Sequence, residues 1–253
     1  GNNSTMNYTF AECPNITSLE GVTIPNTVTE VEGMFYGCPL TSVRNITVNV
    51  RGSISGFFKG CSELTEIRTM KIPNVTNVSS VFEGCSKLSL LTGFELPDSC
   101  TDVSNLFNGC YSLLDLTINL SDSITRGDNW FPPNLESLYD SNINNSHSKL
   151  TDCSTLKTVS NLYINGGDFS DMFNGCHNLT TFTSNLSSLT KGNGMFKYCR
   201  NLESFSSDLS SLMNGEGMFY DCKLYTVSVQ NIADTIKDVN GLSNDYYNIY
   251  KQI

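Results

Sequence analysis

One four-residue pattern recurs along the chain at a nearly fixed interval, and it limits the fold more than any other feature. Phe-x-x-Cys stands at Phe10/Cys13, Phe35/Cys38, Phe58/Cys61, Phe82/Cys85, Phe107/Cys110, Phe173/Cys176, Phe196/Cys199 and Phe219/Cys222. Two further segments fall in the same series. Trp130-Phe131-Pro132-Pro133 keeps the aromatic without the Cys, and Leu150-Thr151-Asp152-Cys153 keeps the Cys with Leu in place of Phe. The Phe positions then run 10, 35, 58, 82, 107, 131, 150, 173, 196 and 219, with one short interval between 131 and 150. Self-similarity at such a period is the mark of a repeat architecture, in which one supersecondary unit stacks on the next.

Each motif is followed by two apolar residues three apart. They are Ile16/Leu19, Leu40/Val43, Leu64/Ile67, Leu88/Leu91, Leu113/Leu116, Leu135/Leu138, Leu156/Val159, Leu179/Phe182, Leu202/Phe205 and Leu224/Val227. A second apolar cluster comes a few residues later, as in Ile46/Val48, Met70/Ile72 and Leu209/Leu212. A third returns to the Phe, with Met34, Phe57, Val81, Leu106, Met172, Met195 or Met218 just before it. Three apolar corners per repeat describe a closed loop of chain that can bury its interior only against neighbouring loops. Composition agrees. Charged residues make up 16%, below the usual quarter, and Asn, Ser, Thr and Gly replace them, which suits turns and flat sheets better than long surface helices.

The repeat text resembles the BspA-type leucine-rich repeat found in bacterial surface proteins. The likeness is carried by Gly21-Val-Thr-Ile-Pro25 through Met34-Phe35-Tyr-Gly-Cys38, and by Phe94-Glu-Leu-Pro97 through Leu106-Phe107-Asn-Gly-Cys110-Tyr-Ser-Leu113. Pro73-Asn-Val-Thr-Asn-Val-Ser-Ser-Val-Phe82 is also similar to a related bacterial surface-protein repeat. The sequence departs from the family where Ala usually precedes Phe, since Met, Val, Leu or Phe stands there. The resemblance implies a secreted or surface-displayed adhesion or recognition module that binds a host or bacterial surface protein or a glycan. Similar repeats occur in tail fibres of gut bacteriophage, so a structural or receptor-binding fibre segment is the alternative.

The expected architecture is a β-rich leucine-rich-repeat solenoid of about ten coils of roughly 23 residues. It spans residues 10–228 as one domain, after a leader at 1–9 and before a short capping helix and tail at 229–253. Val229, Ile232, Ala233, Ile236 and Val239 fall on one helical face before Gly241, and solenoid ends need covering. Gly1-Asn2-Asn3-Ser4-Thr5 is no signal peptide, and a leading Gly in place of Met reads as the cut end of a longer chain. Extracellular or cell-surface location is therefore expected from the resemblance alone.

The chemistry-bearing residues have bland readings. Nine of the ten Cys recur at one corner, which predicts an inward ladder of small hydrophobes, although neighbouring rungs are close enough for a bridge; Cys100 lies off the ladder. There is no Cys-x-x-Cys, and His177 occupies a slot filled elsewhere by Ser, Pro, Tyr, Arg and Lys. No metal or cofactor is expected. Asp168 and Asp171 beside Gly166-Gly167 lack the spacing of a calcium loop and read as a turn. With no Gly-x-Ser-x-Gly and no marked carboxylate pair, no enzymatic role is expected. A net charge of −10 disfavours nucleic acid and anionic membranes, and no apolar stretch is long enough for a membrane span.

For a partner, the residues between each apolar pair face outward, as in Thr41/Ser42, Thr65/Glu66 and Thr180/Thr181. They are mostly small hydroxyls that suit a flat sheet. The irregular coil at 121–149 holds Trp130, the only Trp, and is open to two readings, a functional bulge or a repair of coil register. The candidate binding surface is Trp130, Tyr139, Glu136, Lys157 and Tyr225.

Overall fold

The computed structural model describes residues 4–143, 150–164, 167–224 and, as backbone, 226–230. Its strands are β1 (Ser4–Thr5), β2 (Ser18–Glu20), β3 (Thr23–Ile24), β4 (Val28–Glu30), β5 (Ser42–Val48), β6 (Glu66–Lys71) and β7 (Leu90–Phe94). They continue with β8 (Asp115–Leu116), β9 (Ser137–Tyr139), β10 (Asn142–Ile143), β11 (Thr158–Ile164), β12 (Thr181–Asn185), β13 (Ser204–Asp208) and β14 (Thr226–Gln230). The other described residues are turns, isolated bridges and irregular chain, and the described residues contain no helix. The molecule is a β-solenoid.

The chain forms two compact units, Gly1–Leu114 with Asn119–Asn134, and Asp115–Ile118 with Leu135–Ile253. In the first, β2, β5, β6 and β7 form a parallel sheet in that order, β3 pairs with β5, and β1 with β4. In the second, the order is β8, β9, β11, β12, β13, β14, all parallel, with β10 beside β11.

The corner that carries Phe shows how a turn closes without a helix. Val78, Ser80, Phe82 and Gly84 each donate their N–H to the next turn, on Asp102, Ser104, Leu106 and Asn108, at 2.7–3.1 Å. The intervening Val81, Glu83 and Cys85 donate back three residues, to Val78, Ser80 and Phe82. Every second amide serves the stack and the others serve the turn, so the backbone groups of a buried corner are satisfied. The alternation needs left-handed backbone on both sides of Phe82, at Ser80 (φ 58°) and Gly84 (φ 76°), and again at Asn105 and Gly109 around Phe107. Gly in Phe-x-Gly-Cys is thus favoured by the backbone, although Glu12, Asp152, Tyr198 and Asp221 hold the same left-handed position in other turns.

Counted by this ladder, the first unit makes five turn-to-turn steps, from Phe10 to Trp130, and the second makes three, from Leu150 to Met218. The ladder therefore carries eight turn-to-turn steps among the described residues. Residues 4–9, read as a leader, lie along the following turn: Met6 and Tyr8 donate to Glu30 and Glu32 at 2.9 and 2.8 Å. At the other end, Val229 and Gln230 lie in β14, in register with Ser207 and Asp208. The rest of the expected capping helix and tail, 231–253, is outside the described residues.

Inside each unit the Phe rings stack. Phe10, Phe35, Phe58, Phe82 and Phe107 follow one another at 5.5–6.2 Å with near-parallel planes, and Phe173, Phe196 and Phe219 at 5.4 Å. Burial of each ring contributes roughly 1.5–3 kcal/mol. The apolar pairs Leu64/Ile67, Leu156/Val159 and Leu179/Phe182 are fully buried.

The Cys position is a hydrogen-bonded ladder of its own. Cys38, Cys61, Cys85 and Cys110 donate Sγ–H to the carbonyls of Phe10, Phe35, Phe58 and Phe82, one turn back, at 2.9–3.2 Å. Cys176, Cys199 and Cys222 do the same toward Leu150, Phe173 and Phe196 at 3.0–3.1 Å. All ten Cys are free thiols, and Cys100, off the ladder, is also fully buried. Burial pushes the Cys61, Cys110 and Cys222 thiols up to about 12 and Cys85, Cys176 and Cys199 further up. These are packing groups, and a thiolate nucleophile is disfavoured at each.

Candidate functional site

Several of the outward residues are held by the scaffold. Thr41 Oγ1 donates to the Thr17 carbonyl at 3.0 Å, Thr65 to Thr41 at 2.9 Å and Ser89 to Thr65 at 3.3 Å; Thr180 repeats this toward Lys157 at 3.2 Å. In these four turns the first hydroxyl of the outward pair holds the preceding rung. Arg44 and Arg68 both bond Glu66, and Arg44 first, then Arg68, hold its carboxyl below the usual range.

The five residues chosen from sequence do not form one site. Trp130 is 1% exposed and belongs to the core of the first unit, stacked on Phe131 at 3.8 Å. Its carbonyl accepts the Phe107 N–H as those of Val81 and Leu106 accept the N–H groups of Phe58 and Phe82, so Trp130 stands in the buried slot before Phe and offers no surface to a partner. Glu136 and Lys157, in the second unit, form an exposed ion pair at 2.6 Å. Tyr139, on β9, is 40% exposed. Tyr225 lies outside the described residues. Asp168, near the tested calcium segment, accepts Ser170 N–H and Oγ–H at 3.0 and 2.6 Å, the geometry of a turn. His177 is exposed, with Nδ1 2.9 Å from the Tyr198 carbonyl. Among the described residues no group of three acidic, His or Cys side chains could hold a metal ion.

The second unit does contain an open groove of about 550 Å³ across β11, β12 and β13. Its polar wall includes Asn161, Tyr163, Thr183, Asn185, Ser206 and Asp208. A change in backbone builds it. In β11, left-handed Asn161 (φ 52°) bends the strand, as Asn45, Thr69 and Gly93 do in β5, β6 and β7. β12 and β13 lack that residue. Ser160 therefore pairs with Thr183 but Tyr163 with Asn185, so β11 carries one extra residue, a β-bulge. The amide displaced by the bulge is caught by a side chain: Leu162 N–H donates to Ser184 Oγ at 3.0 Å, and one rung on Leu186 N–H donates to Ser207 Oγ at 3.0 Å. That explains Ser207, a polar residue only 8% exposed.

The same step pushes polar side chains outward. Tyr163 is 47% exposed. Asn161 Nδ2 donates to Asp140 Oδ1 at 3.0 Å, while Asn185 Oδ1 and Asp208 Oδ1 accept the amides of Ser187 and Ser210, both at 2.9 Å. One oxygen of each of these last two side chains is thereby fixed, which orients the rest of the group. Among the lining residues Asp208 is the one that carries charge. Tyr139 sits in the register row that runs through Ser160, Thr183 and Ser206, so it flanks this groove; Glu136 and Lys157 are not in its wall.

The groove was missed in the sequence, yet it has a signal there. The distance from the second residue of each apolar pair to the next buried apolar residue is three in Val43/Ile46, Ile67/Met70, Leu91/Phe94 and Val159/Leu162. It becomes four in Phe182/Leu186 and Phe205/Leu209.

Comparison with known proteins places the chain by its repeats. The family model for the BspA type leucine rich repeat region matches in six copies, over residues 3–131, 65–166 and 150–240. Among solved structures, a leucine-rich repeat protein from Bacteroides ovatus is similar at 20% identity and a TM-score of 0.49, covering 91% of this chain and 66% of that one. The chain thus spans about two thirds of that protein's length. A leucine rich cell surface protein from Faecalibacterium prausnitzii is similar at 18% identity and a TM-score of 0.31, covering 95% of this chain and 86% of that one. No curated protein matches the sequence. The matched repeats cover most of the chain, which belongs to the BspA-type leucine-rich repeat family.

Proposed function

We propose that this chain is a non-enzymatic recognition module, displayed on or secreted from a bacterial cell, that binds a protein or glycan through its repeat surface. The observation that carries the reading is the polar groove on β11–β13, where the solenoid leaves its regular course and turns amide, hydroxyl and phenol groups outward. At Thr41, Thr65 and Ser89, by contrast, the outward hydroxyls are spent on neighbouring carbonyls. A concave site with an aromatic side chain and a few converging polar groups suits binding, and the single carboxylate of the wall does not supply the pair that glycoside hydrolysis uses. The family is one of bacterial surface leucine-rich proteins, which supports display outside the cell.

The test is a binding screen of the purified chain against immobilised glycans and extracellular-matrix proteins. Saturable binding to a member of either class is the expected result. Silence across both, with the fold intact by circular dichroism, would refute a recognition role and leave an architectural spacer.

A further inference from the structure

We infer that the groove on β11–β13 is a subsite for a short, neutral oligosaccharide chain, laid across the rungs with one sugar ring against Tyr163. The inference rests on the recognition role above and names its ligand class.

Three features of the groove point to this chemistry. Its wall offers side chains that both donate and accept, namely the amide of Asn185, the hydroxyls of Thr183 and Ser206 and the phenol of Tyr163, with Asp208 as an acceptor. Sugar hydroxyls are themselves donor and acceptor at once, so adjacent hydroxyls of one ring can bridge such a set. Asn185 and Asp208 each have one oxygen held by a backbone amide two residues on, which presets the free end of the group and lowers the ordering cost of binding. Tyr163 then supplies an exposed aromatic body, against which the apolar face of a pyranose can pack while its hydroxyls reach the amides.

Repeat geometry adds a length argument. Parallel rungs are spaced by about 4.8 Å, close to the advance of one sugar ring along an extended glycan. Tyr163 and Asn185 are register neighbours on adjacent rungs, and Thr183 and Ser206 are another pair. Successive rings would therefore meet successive rungs. A groove of about 550 Å³ lies within the range of about 300–1,000 Å³ usual for small ligands.

Charge selects within the sugars. No Lys or Arg lines the groove, and Asp208 does, in a chain of net charge −10. Sialylated or sulfated chains would meet repulsion without a compensating cation. A protein partner is the weaker fit, since the wall lacks the Trp and Arg anchors and the desolvated apolar pocket that carry protein–protein hot spots.

The experiment titrates the full chain with neutral di- to tetrasaccharides of glucose, galactose, xylose and N-acetylglucosamine, and with sialyllactose. Saturation-transfer NMR detects contact and calorimetry gives affinity. At least one neutral series should bind, tightening from disaccharide to tetrasaccharide, with sialyllactose at least tenfold weaker than its neutral core. Tyr163→Ala should weaken binding tenfold or more. Asp208→Asn, which keeps the Oδ1 acceptor for Ser210, should weaken it several-fold, while exposed Tyr220→Ala, outside the groove, should leave it unchanged. Circular dichroism on each variant separates loss of binding from loss of fold. The inference is overturned if no neutral sugar binds at millimolar concentration, or if Tyr163→Ala binds as wild type does. A matrix protein that binds while all sugars stay silent would sink the glycan assignment and leave the recognition role standing; silence of both would sink the two together.

Discussion

Phe82→Ala is the sharpest test of how the turns hold together. Phe82 is fully buried, lies near-parallel to Phe58 at 6.2 Å and to Phe107 at 5.6 Å, and meets Phe94 edge-on at 5.1 Å. Truncating a buried Phe costs about 3–5 kcal/mol in lost transfer energy and residual cavity. Three ring contacts, each worth about 0.5–1.5 kcal/mol beyond area, place this site at the upper end, about 4–5 kcal/mol. Cys85→Ala in the same turn removes one heavy atom and a weak donor. The Phe58 carbonyl that loses the thiol still accepts Cys61 N–H at 3.0 Å, so no polar group is orphaned, and the cost should be about 1–2 kcal/mol. Urea unfolding followed by Trp130 fluorescence reads the first unit directly, since this only Trp is buried there. Phe82→Leu, which keeps much of the volume but loses the ring stack, should fall between the two. If Cys85→Ala destabilised as much as Phe82→Ala, the thiol ladder rather than the aromatic stack would be the main support, and the ranking argued here would fail.

Two further outcomes test the ladders. In the folded protein the buried thiols should resist alkylation by iodoacetamide at pH 8, reacting fully only in denaturant; fast native-state reaction at Cys61 or Cys110 would contradict their burial. The same thiols make stability fall in alkali. Their folded values are raised to about 12, so the contribution is complete below the ordinary thiol value and is lost as pH climbs from about 9 toward 12; thermal melts across that range should show it. At the Gly corner, Gly109→Ala adds a Cβ at φ +78° that would sit 3.2 Å from the Gly84 backbone, against 3.6 Å from Gly60 for Gly84→Ala at φ +76°. Both should destabilise by about 1–2 kcal/mol for the left-handed backbone alone, with Gly109→Ala the worse; the reverse order would mean that the corners do not stack backbone to backbone.

The fold was legible because its period writes the same constraint many times. Phe, Cys and the apolar pair each recur, and each recurrence maps onto a column of buried side chains. What the period hides is anything that changes without moving those columns. Trp130 looked like an exposed anchor because it broke the pattern, whereas its ring is buried in the slot that Val81 and Leu106 fill in earlier turns. The two-unit division was invisible because the apolar pairs continue through 113–138 at normal spacing, while the strands there shorten to the two and three residues of β8 and β9. The Phe-x-Gly-Cys text was seen, but its reason is a backbone angle, which composition does not display. The groove depended on a one-residue change in spacing after Phe182 and Phe205, a smaller signal than a missing Cys.

That contrast also bears on where function can sit in such a molecule. A solenoid of identical rungs offers identical side chains, and the hydroxyls of Thr41, Thr65, Ser89 and Thr180 already serve neighbouring carbonyls; mutation of Thr41 or Thr65 acts first on the scaffold. Selectivity needs a place where rungs differ while the stack survives. The bulge at Asn161 meets both needs, because Ser184 and Ser207 take over the displaced amides and so let Tyr163, Asn185 and Asp208 vary without opening the core. Their positions are the ones that can differ between relatives at little structural cost, whereas Ser184 and Ser207 cannot become Ala without leaving the amides of Leu162 and Leu186 without those acceptors.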